Sequence, residues 1–119
     1  MNKRETGKNG EDIAENLLTS QNYEIISKNY NCRFGEIDIV AIDYSKRKEF
    51  VFVEVKTRRS SLFGEPQEAV DYRKKRKIIR TIGHFLANCN MALPWRIDVI
   101  AIKLDGNGSL KEINHYKNI

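Results

Sequence analysis

The stretches GEIDIVAID (residues 35–43) and FVFVEVKT (residues 50–57) decide the fold of this 119-residue chain. Both are rich in β-branched and aromatic residues, and such runs are typical of strands. The polar link from Tyr44 to Lys48 is short, so we expect the two strands to form an antiparallel hairpin.

The pairing within this hairpin predicts which charged side chains lie together. If the turn is centred near Lys46, Asp38 faces Glu54. Side chains directly opposite on one face have Cβ atoms about 5 Å apart. Lys56 follows Glu54 by two residues and shares its face, because the strand period is two. Glu36 is predicted to lie on the same surface, opposite Lys56.

Both faces of the hairpin are predicted to be apolar away from these charges. One face carries Val51, Val53, Val55, Ile37, Ile39 and Ala41, and the other carries Phe50, Phe52, Val40 and Ile42. Strands covered on both faces are central and buried.

Two carboxylates and a lysine at the end of such strands are costly to bury unless they are paired or bound to a metal. A hard divalent cation such as Mg²⁺ or Mn²⁺ suits these oxygen ligands. The alternative is a buried salt bridge, in which Lys56 pairs with Glu54 or Glu36 and Asp38 accepts backbone hydrogen bonds.

The remaining pattern predicts one α/β domain, residues 1–119, with helices flanking a mixed central sheet. Apolar residues at helical spacing predict a helix over 7–21 and an amphipathic helix from Pro66 to about 88–90. Residues 23–29 give a weaker strand, at an edge of the sheet. Pro94 precedes a buried strand over 96–104, and a short strand is expected over 110–116 after a turn.

Composition narrows the class of protein. The net charge of +5 and pI near 9.3 favour a polyanionic partner. Cys32 and Cys89 lack zinc-site spacing, and we expect both to be reduced, partly buried thiols. The charged start MNKRETGKNGED predicts no signal peptide, and no run approaches the ~18 apolar residues of a membrane span. We therefore expect a cytoplasmic protein without membrane contact.

The hairpin resembles the nuclease core of the PD-(D/E)XK, or restriction-endonuclease-like, superfamily. Asp38 matches the aspartate of the motif, Glu54-Val55-Lys56 matches E-x-K, and Ile37 replaces the usual proline. Over residues 7–102 the chain is more closely similar to the YraN family of endonuclease-like proteins. The matching residues are Gly7, Gly10, Glu11, Ala14, Gly35–Asp38, Phe52–Arg58, Glu68–Val70, Lys74 and Arg96–Val99.

The resemblance implies a metal-dependent endonuclease that hydrolyses DNA. Asp38 and Glu54 would bind Mg²⁺ or Mn²⁺ with the carbonyl of Val55, and Lys56 would orient or deprotonate the attacking water. Glu11 would be a fourth catalytic member, reaching the metal through water. Its alternative is a carboxylate favoured by the dipole at the helix N-terminus.

Basic residues beside the motif are candidates for nucleic-acid binding. They are Arg58, Arg59, Lys74, Lys75, Arg76 and Lys77. These cations suit phosphates, although a solvated helix face is the alternative for the KKRK run. Gln67 is better explained as an exposed residue of the first turn. Asp98 is expected to pair with Arg96 or Arg58, or to support the site.

Similarity to archaeal-type Holliday junction resolvases implies branched or structured DNA as substrate and a homodimer as the assembly. His84 and His115 have no partner pattern, and Trp95 and the tyrosines show no stacking platform for single strands. The alternative functions are a non-catalytic nucleic-acid-binding module and a subunit of a DNA repair or uptake complex that keeps the nuclease fold.

Overall fold

The computed structural model describes the backbone of residues 3–8 and both backbone and side chains of residues 9–59 and 72–119. The elements are α1 (Lys3–Ser20), β1 (Tyr23–Cys32), β2 (Gly35–Asp43), β3 (Glu49–Arg58), α2 (Tyr72–Ala87), β4 (Trp95–Leu104) and β5 (Leu110–Tyr116). This order confirms the predicted mixed α/β architecture. The predicted helix start at Pro66, together with Gln67, lies outside the described residues.

The five strands form one sheet in the order β1-β2-β3-β4-β5. All neighbours are antiparallel except β3 and β4, which are parallel because α2 lies in the connection between them. The weak strand β1 lies at an edge, as predicted. It is longer than expected because a two-residue turn leads directly into β2, where Gly35 has φ 151°.

One helix packs on each face of the sheet. On one side Ala14 and Leu18 of α1 join a buried cluster with Ile39, Ala41, Val51, Val53, Ile100, Ile102 and Leu104. On the other side Ile78 and Ile82 of α2 pack with Ile37, Val40, Ile42, Phe50, Phe52 and Ile97. The central hairpin is therefore covered on both faces, as the sequence predicted.

The assignment of Ile37 to the α1-side face is wrong. Ile37 is 1% exposed and packs in the α2-side cluster, although Ile39 and Ala41 lie in the α1-side cluster. The break in alternation falls at Asp38, where the β2–β3 ladder has ended and Asn29 of β1, across from it, has φ 53°.

No helix in the described part of the chain is long and apolar enough to cross a bilayer. Cys32 and Cys89 are free thiols of intermediate exposure, as expected.

Candidate active site at a split between two strands

The site lies where β2 and β3 separate. Their pairing runs from Asp43↔Glu49 to Ile39↔Val53, which confirms the predicted register. Beyond that pair, β2 continues beside β1, and β3 continues beside β4 as far as Arg58↔Lys103. A gap therefore opens in the middle of the sheet, at the level of Asp38 and Glu54.

Asp38 occupies this gap. Its Oδ2 accepts a hydrogen bond of 2.7 Å from the backbone N–H of Val55 on β3. The side chain thus takes the place of a backbone carbonyl, and it fixes the carboxylate between the strands. The backbone hydrogen bond proposed for Asp38 in the salt-bridge alternative is present.

Glu54 lies against Asp38 in a partly buried position. Burial raises the pKa of Glu54 to about 8, and the charge and hydrogen bond of Asp38 add to this effect, while the positive charge of Lys74 opposes it. The raised pKa favours a protonated Glu54 near neutral pH, and the carboxyl group of Glu54 then donates its proton in the hydrogen bond with Asp38. A cation would satisfy the same oxygens.

Lys56 is partly buried two residues after Glu54 and pairs with Ala101 of β4. Within residues 3–59 and 72–119 no ion pair of 4.0 Å or less joins Lys56 to Glu54 or Glu36. The predicted opposition of Glu36 and Lys56 is also wrong. Because the strands have separated, Glu36 instead pairs with Asn31 of β1.

Glu11 reaches the site from α1. A Cβ added to Gly10 would lie 1.9 Å from Thr57 Oγ1, so the glycine lets α1 approach β3 closely beside the gap. Burial raises the pKa of Glu11, and the negative charges of Asp38 and Glu36 raise it further. Glu11 thus lies within electrostatic reach of Asp38.

The helix-dipole explanation for Glu11 is wrong. Helix α1 begins at Lys3 rather than Gly7, so Glu11 lies more than two turns inside it. The dipole favours carboxylates in the first turn only.

Asn29 of β1 was missed by sequence reasoning. It has φ 53° and lies across from Asp38, between the pairs Lys28↔Ile39 and Tyr30↔Ile37. With its amide turned as its neighbours require, its nitrogen donates to Glu11 Oε1 at 2.7 Å and to Glu36 Oε1 at 3.2 Å. The one sequence signal was an asparagine inside a strand, since Asn tolerates positive φ.

The oxygen atoms at the gap suit a hard divalent cation as ligands. In a strand, the N–H and C=O of one residue point to the same side. The carbonyl of Val55 therefore faces the gap, as does its N–H. No three His, Cys, Asp or Glu side chains of the described ranges form a ready metal site. Asp38, Glu54 and the Val55 carbonyl would hold such an ion together with water.

The basic candidates divide between the site and the surface. The positive charge of Lys74 lowers the pKa of Glu54, which indicates that the first turn of α2 lies close to the gap. Arg58, Arg59 and Lys75 are partly buried, whereas Arg76 and Lys77 are exposed. Two further exposed cations of α2, Arg73 and Arg80, were not predicted.

A second charged cluster lies at the other end of the hairpin. Arg96 is its centre, with donor–acceptor distances of 2.9 Å to Asp98, 3.0 Å to Asp43, 2.7 Å to Glu49 and 2.8 Å to the Tyr23 hydroxyl. Asp98 is fully buried and is also bonded to His115 at 2.7 Å. The predicted Asp98–Arg96 pair is confirmed.

The carboxylates of this second cluster are paired with Arg96. Burial raises the pKa of Asp43, but hydrogen bonds from Ser45 and Arg96 outweigh this and lower it to about 2. Against burial, hydrogen bonds also lower the pKa of Asp98, so the ionised forms of Asp43 and Asp98 are favoured beside Arg96, whereas burial raises the pKa of Glu54 at the gap. We assign it a structural role.

Comparison with known proteins identifies the family. The profile described as "Uncharacterised protein family UPF0102" matches residues 10–102. A UPF0102 protein of Caldanaerobacter subterraneus subsp. tengcongensis is 39% identical over 99% of this chain and 96% of its own length. A Clostridioides difficile relative is 40% identical over 99% and 98% of the two chains.

Among solved structures, Pyrococcus furiosus SfsA in complex with Ca²⁺ matches with a TM-score of 0.35 and 14% identity, over 96% of this chain and 63% of that one. This likeness is too low to carry an argument. The match of the family profile and the similarity to whole relatives agree with the YraN resemblance, and the chain belongs to the UPF0102 family.

Proposed function

We propose that this protein is a metal-dependent endonuclease of the PD-(D/E)XK type. The observation that carries the proposal is the meeting of Asp38 and Glu54 in the gap between β2 and β3. The side chain of Asp38 bonds to the backbone of Val55 there, and Lys56 follows on the same strand. A pair of acids that shares a proton in a partly buried place is a poor structural element, and it is a good binding site for Mg²⁺ or Mn²⁺.

The bound cation would lower the pKa of a water molecule and neutralise charge on a phosphate. Asp38, Glu54 and the carbonyl of Val55 would hold the ion. Lys56 would orient the water or, in its neutral form, accept the proton of the water. In its charged form it would steady the charge that builds on the scissile phosphate. Glu11 would contribute a third carboxylate, through water.

The substrate of this proposal is DNA. Lys74 lies close enough to the gap to affect Glu54, and Arg73, Arg76, Lys77 and Arg80 extend the positive charge of α2 away from it. Such cations bind the phosphate backbone and do not read sequence. We infer recognition by shape, of branched or structured DNA, by a homodimer that presents two sites.

A non-catalytic nucleic-acid-binding module, alone or as a subunit of a repair or uptake complex, is the second candidate. One observation favours it: the shared proton and the Val55 hydrogen bond satisfy the acids without any ion. The basic face of α2 would then carry the whole function.

Cleavage of a labelled DNA panel tests the proposal. Single-stranded, duplex, flap and four-way-junction DNA are incubated with Mn²⁺, Mg²⁺ or EDTA. Asp38→Asn keeps an oxygen for the Val55 N–H but weakens metal binding, and Lys56→Ala removes the lysine. Lys48→Ala, an exposed lysine of the β2–β3 loop, is the matched control.

We expect metal-dependent cutting that both site variants lose and Lys48→Ala keeps. Wild-type protein that binds these DNAs but cuts none of them would favour the binding module. Cutting that persists in both site variants would refute the assigned site.

A further inference from the structure

Asn29 is the side chain that joins the acids of two different elements at the gap. Glu11 comes from α1 and Glu36 from β2, and both carboxylates accept hydrogen bonds from the same amide nitrogen, at 2.7 Å and 3.2 Å. We propose that Asn29 is a positioning residue, whose amide holds Glu11 and Glu36 beside the Asp38–Glu54 pair. This inference rests on the proposed function for its catalytic meaning.

Electrostatics explains why such a residue is needed. Burial raises the pKa of Glu11, and the negative charges of Asp38 and Glu36 repel its carboxylate and raise the pKa further. Glu36 is exposed and Glu11 is partly exposed, so both side chains are free to turn toward water. An amide NH₂ group has two N–H donors, and it offers one to each carboxylate. These bonds oppose the repulsion and keep both acids at the gap.

The backbone at Asn29 places the amide there. Its φ of 53° interrupts the regular extension of β1 directly across from Asp38. Glycine and asparagine tolerate this conformation best, and glycine would satisfy the backbone alone. Only asparagine combines the left-handed backbone with a two-donor side chain, so the side chain, not the turn, is what the acids use.

A test in the metal-free protein isolates this contact from any activity. In ¹H–¹⁵N spectra with EDTA, the side-chain amide resonances of Asn29 should shift in Glu11→Gln and in Glu36→Gln. Asp12→Asn, an exposed neighbour on α1, is the matched control and should leave them in place. Asn29 amide resonances whose chemical shifts stay the same in both glutamate variants would overturn the proposal.

A double-mutant cycle on Mn²⁺ affinity tests the consequence. Asn29→Gly keeps the backbone conformation and removes the amide, and Asn22→Gly makes the same change at another positive φ, 69°, far from the gap. Outer groups that orient ligands typically contribute about ten- to hundred-fold in metal affinity. We expect a loss of this size in Asn29→Gly and in Glu11→Gln, and none in Asn22→Gly.

A background that lacks both carboxylates, Glu11→Gln/Glu36→Gln, decides between positioning and general support. If Asn29 acts through these two acids, adding Asn29→Gly to that background weakens Mn²⁺ binding no further. Losses that multiply would overturn the proposal, because they would show independent effects. Asn29→Asp, which tolerates the same backbone but lacks the donors, replaces Asn29→Gly if the glycine protein does not fold.

The two claims fail separately. Wild-type protein that binds no Mn²⁺ would contradict the metal site of the proposed function, and the amide resonances would still decide whether Asn29 holds the acids. Normal Mn²⁺ binding with unmoved resonances would leave the nuclease proposal standing and remove Asn29 from it.

Discussion

Replacing the proton-sharing carboxylate at the gap should stabilise the metal-free protein at alkaline pH. Glu54→Gln keeps the size of the side chain, and its amide can donate to Asp38 in place of the shared proton. The pKa of Glu54 in the folded protein is raised from 4.5 to about 8. The folded state therefore holds a proton that the unfolded chain releases, and wild-type stability falls as the pH rises through this window.

The magnitude follows from the size of the shift. A change from 4.5 to about 8, at about 1.36 kcal/mol per pH unit, sets an upper limit of about 5 kcal/mol. Glu54 is partly exposed, and water screens part of the cost, so we expect about 2–3 kcal/mol. Below the unfolded pKa, Glu54 of the wild type is protonated in both the folded and the unfolded state. The pKa shift then contributes nothing to the difference in stability between wild type and Glu54→Gln.

Urea unfolding followed by circular dichroism, in EDTA, measures the difference. Wild type and Glu54→Gln are compared from about pH 5 to about pH 9, the range over which their free energies of unfolding are predicted to diverge. Glu24→Gln, an exposed carboxylate on β1, is the control and should track the wild type. A stability difference between wild type and Glu54→Gln that stays constant across this range would refute the shared proton.

Three further predictions concern the framework of the site. Gly10→Ala should lower the free energy of unfolding by about 1–3 kcal/mol through overpacking. Gly83→Ala, which has open space around it, should raise the free energy of unfolding by about 1 kcal/mol. Equal effects of the two variants in urea unfolding would contradict the close approach of α1. Arg96→Met should cost about 3–5 kcal/mol because it removes the cation that Asp43 and Asp98 share in a buried place. Arg47→Met, which removes an exposed pair of 4.0 Å with Glu49 of the same cluster, should cost less than about 1 kcal/mol. Equal losses in thermal melting would contradict the structural role of the cluster. Since the pKa of Asp43 is lowered to about 2, its stabilisation is present above the unfolded value and lost as the pH falls toward about 2. Asp43→Asn should flatten the acid limb of the stability curve, and an unchanged limb would argue against the low pKa.

The contrast between the two charged clusters has a functional meaning. At one end of the hairpin, Arg96 forms ion pairs with Asp43, Glu49 and Asp98 within the protein. At the other end, Asp38, Glu54, Glu11 and Glu36 repel each other, and a shared proton and the Asn29 amide hold them. This repulsion among the acids at the gap supports the metal site that we propose there.

The sequence alone determined the hairpin, its register and the order of elements. The loop of residues 44–48 is short and the strands alternate regularly, so local geometry was sufficient to place Asp38 near Glu54. The helical spacing in α1 and α2 and the buried run of β4 were equally local signals. The E-x-K residues were therefore recognisable before any tertiary contact was known.

Only the tertiary structure decided how these residues meet. The separation of β2 and β3 depends on each strand finding another partner, and it moved Ile37 to the other face and Glu36 away from Lys56. A local pattern cannot show where a ladder stops, because this depends on packing across the whole sheet.

The same limit applies to side-chain partners distant in sequence. His115 meets Asp98 only because β5 pairs with β4. Asn29 meets Glu11 only because Gly10 lets α1 pack closely against β3 beside the gap. Periodicity assigns a side chain to a face, but the hydrogen-bond partners on that face are set by the three-dimensional approach of separate elements, and this approach has no local signature in the chain.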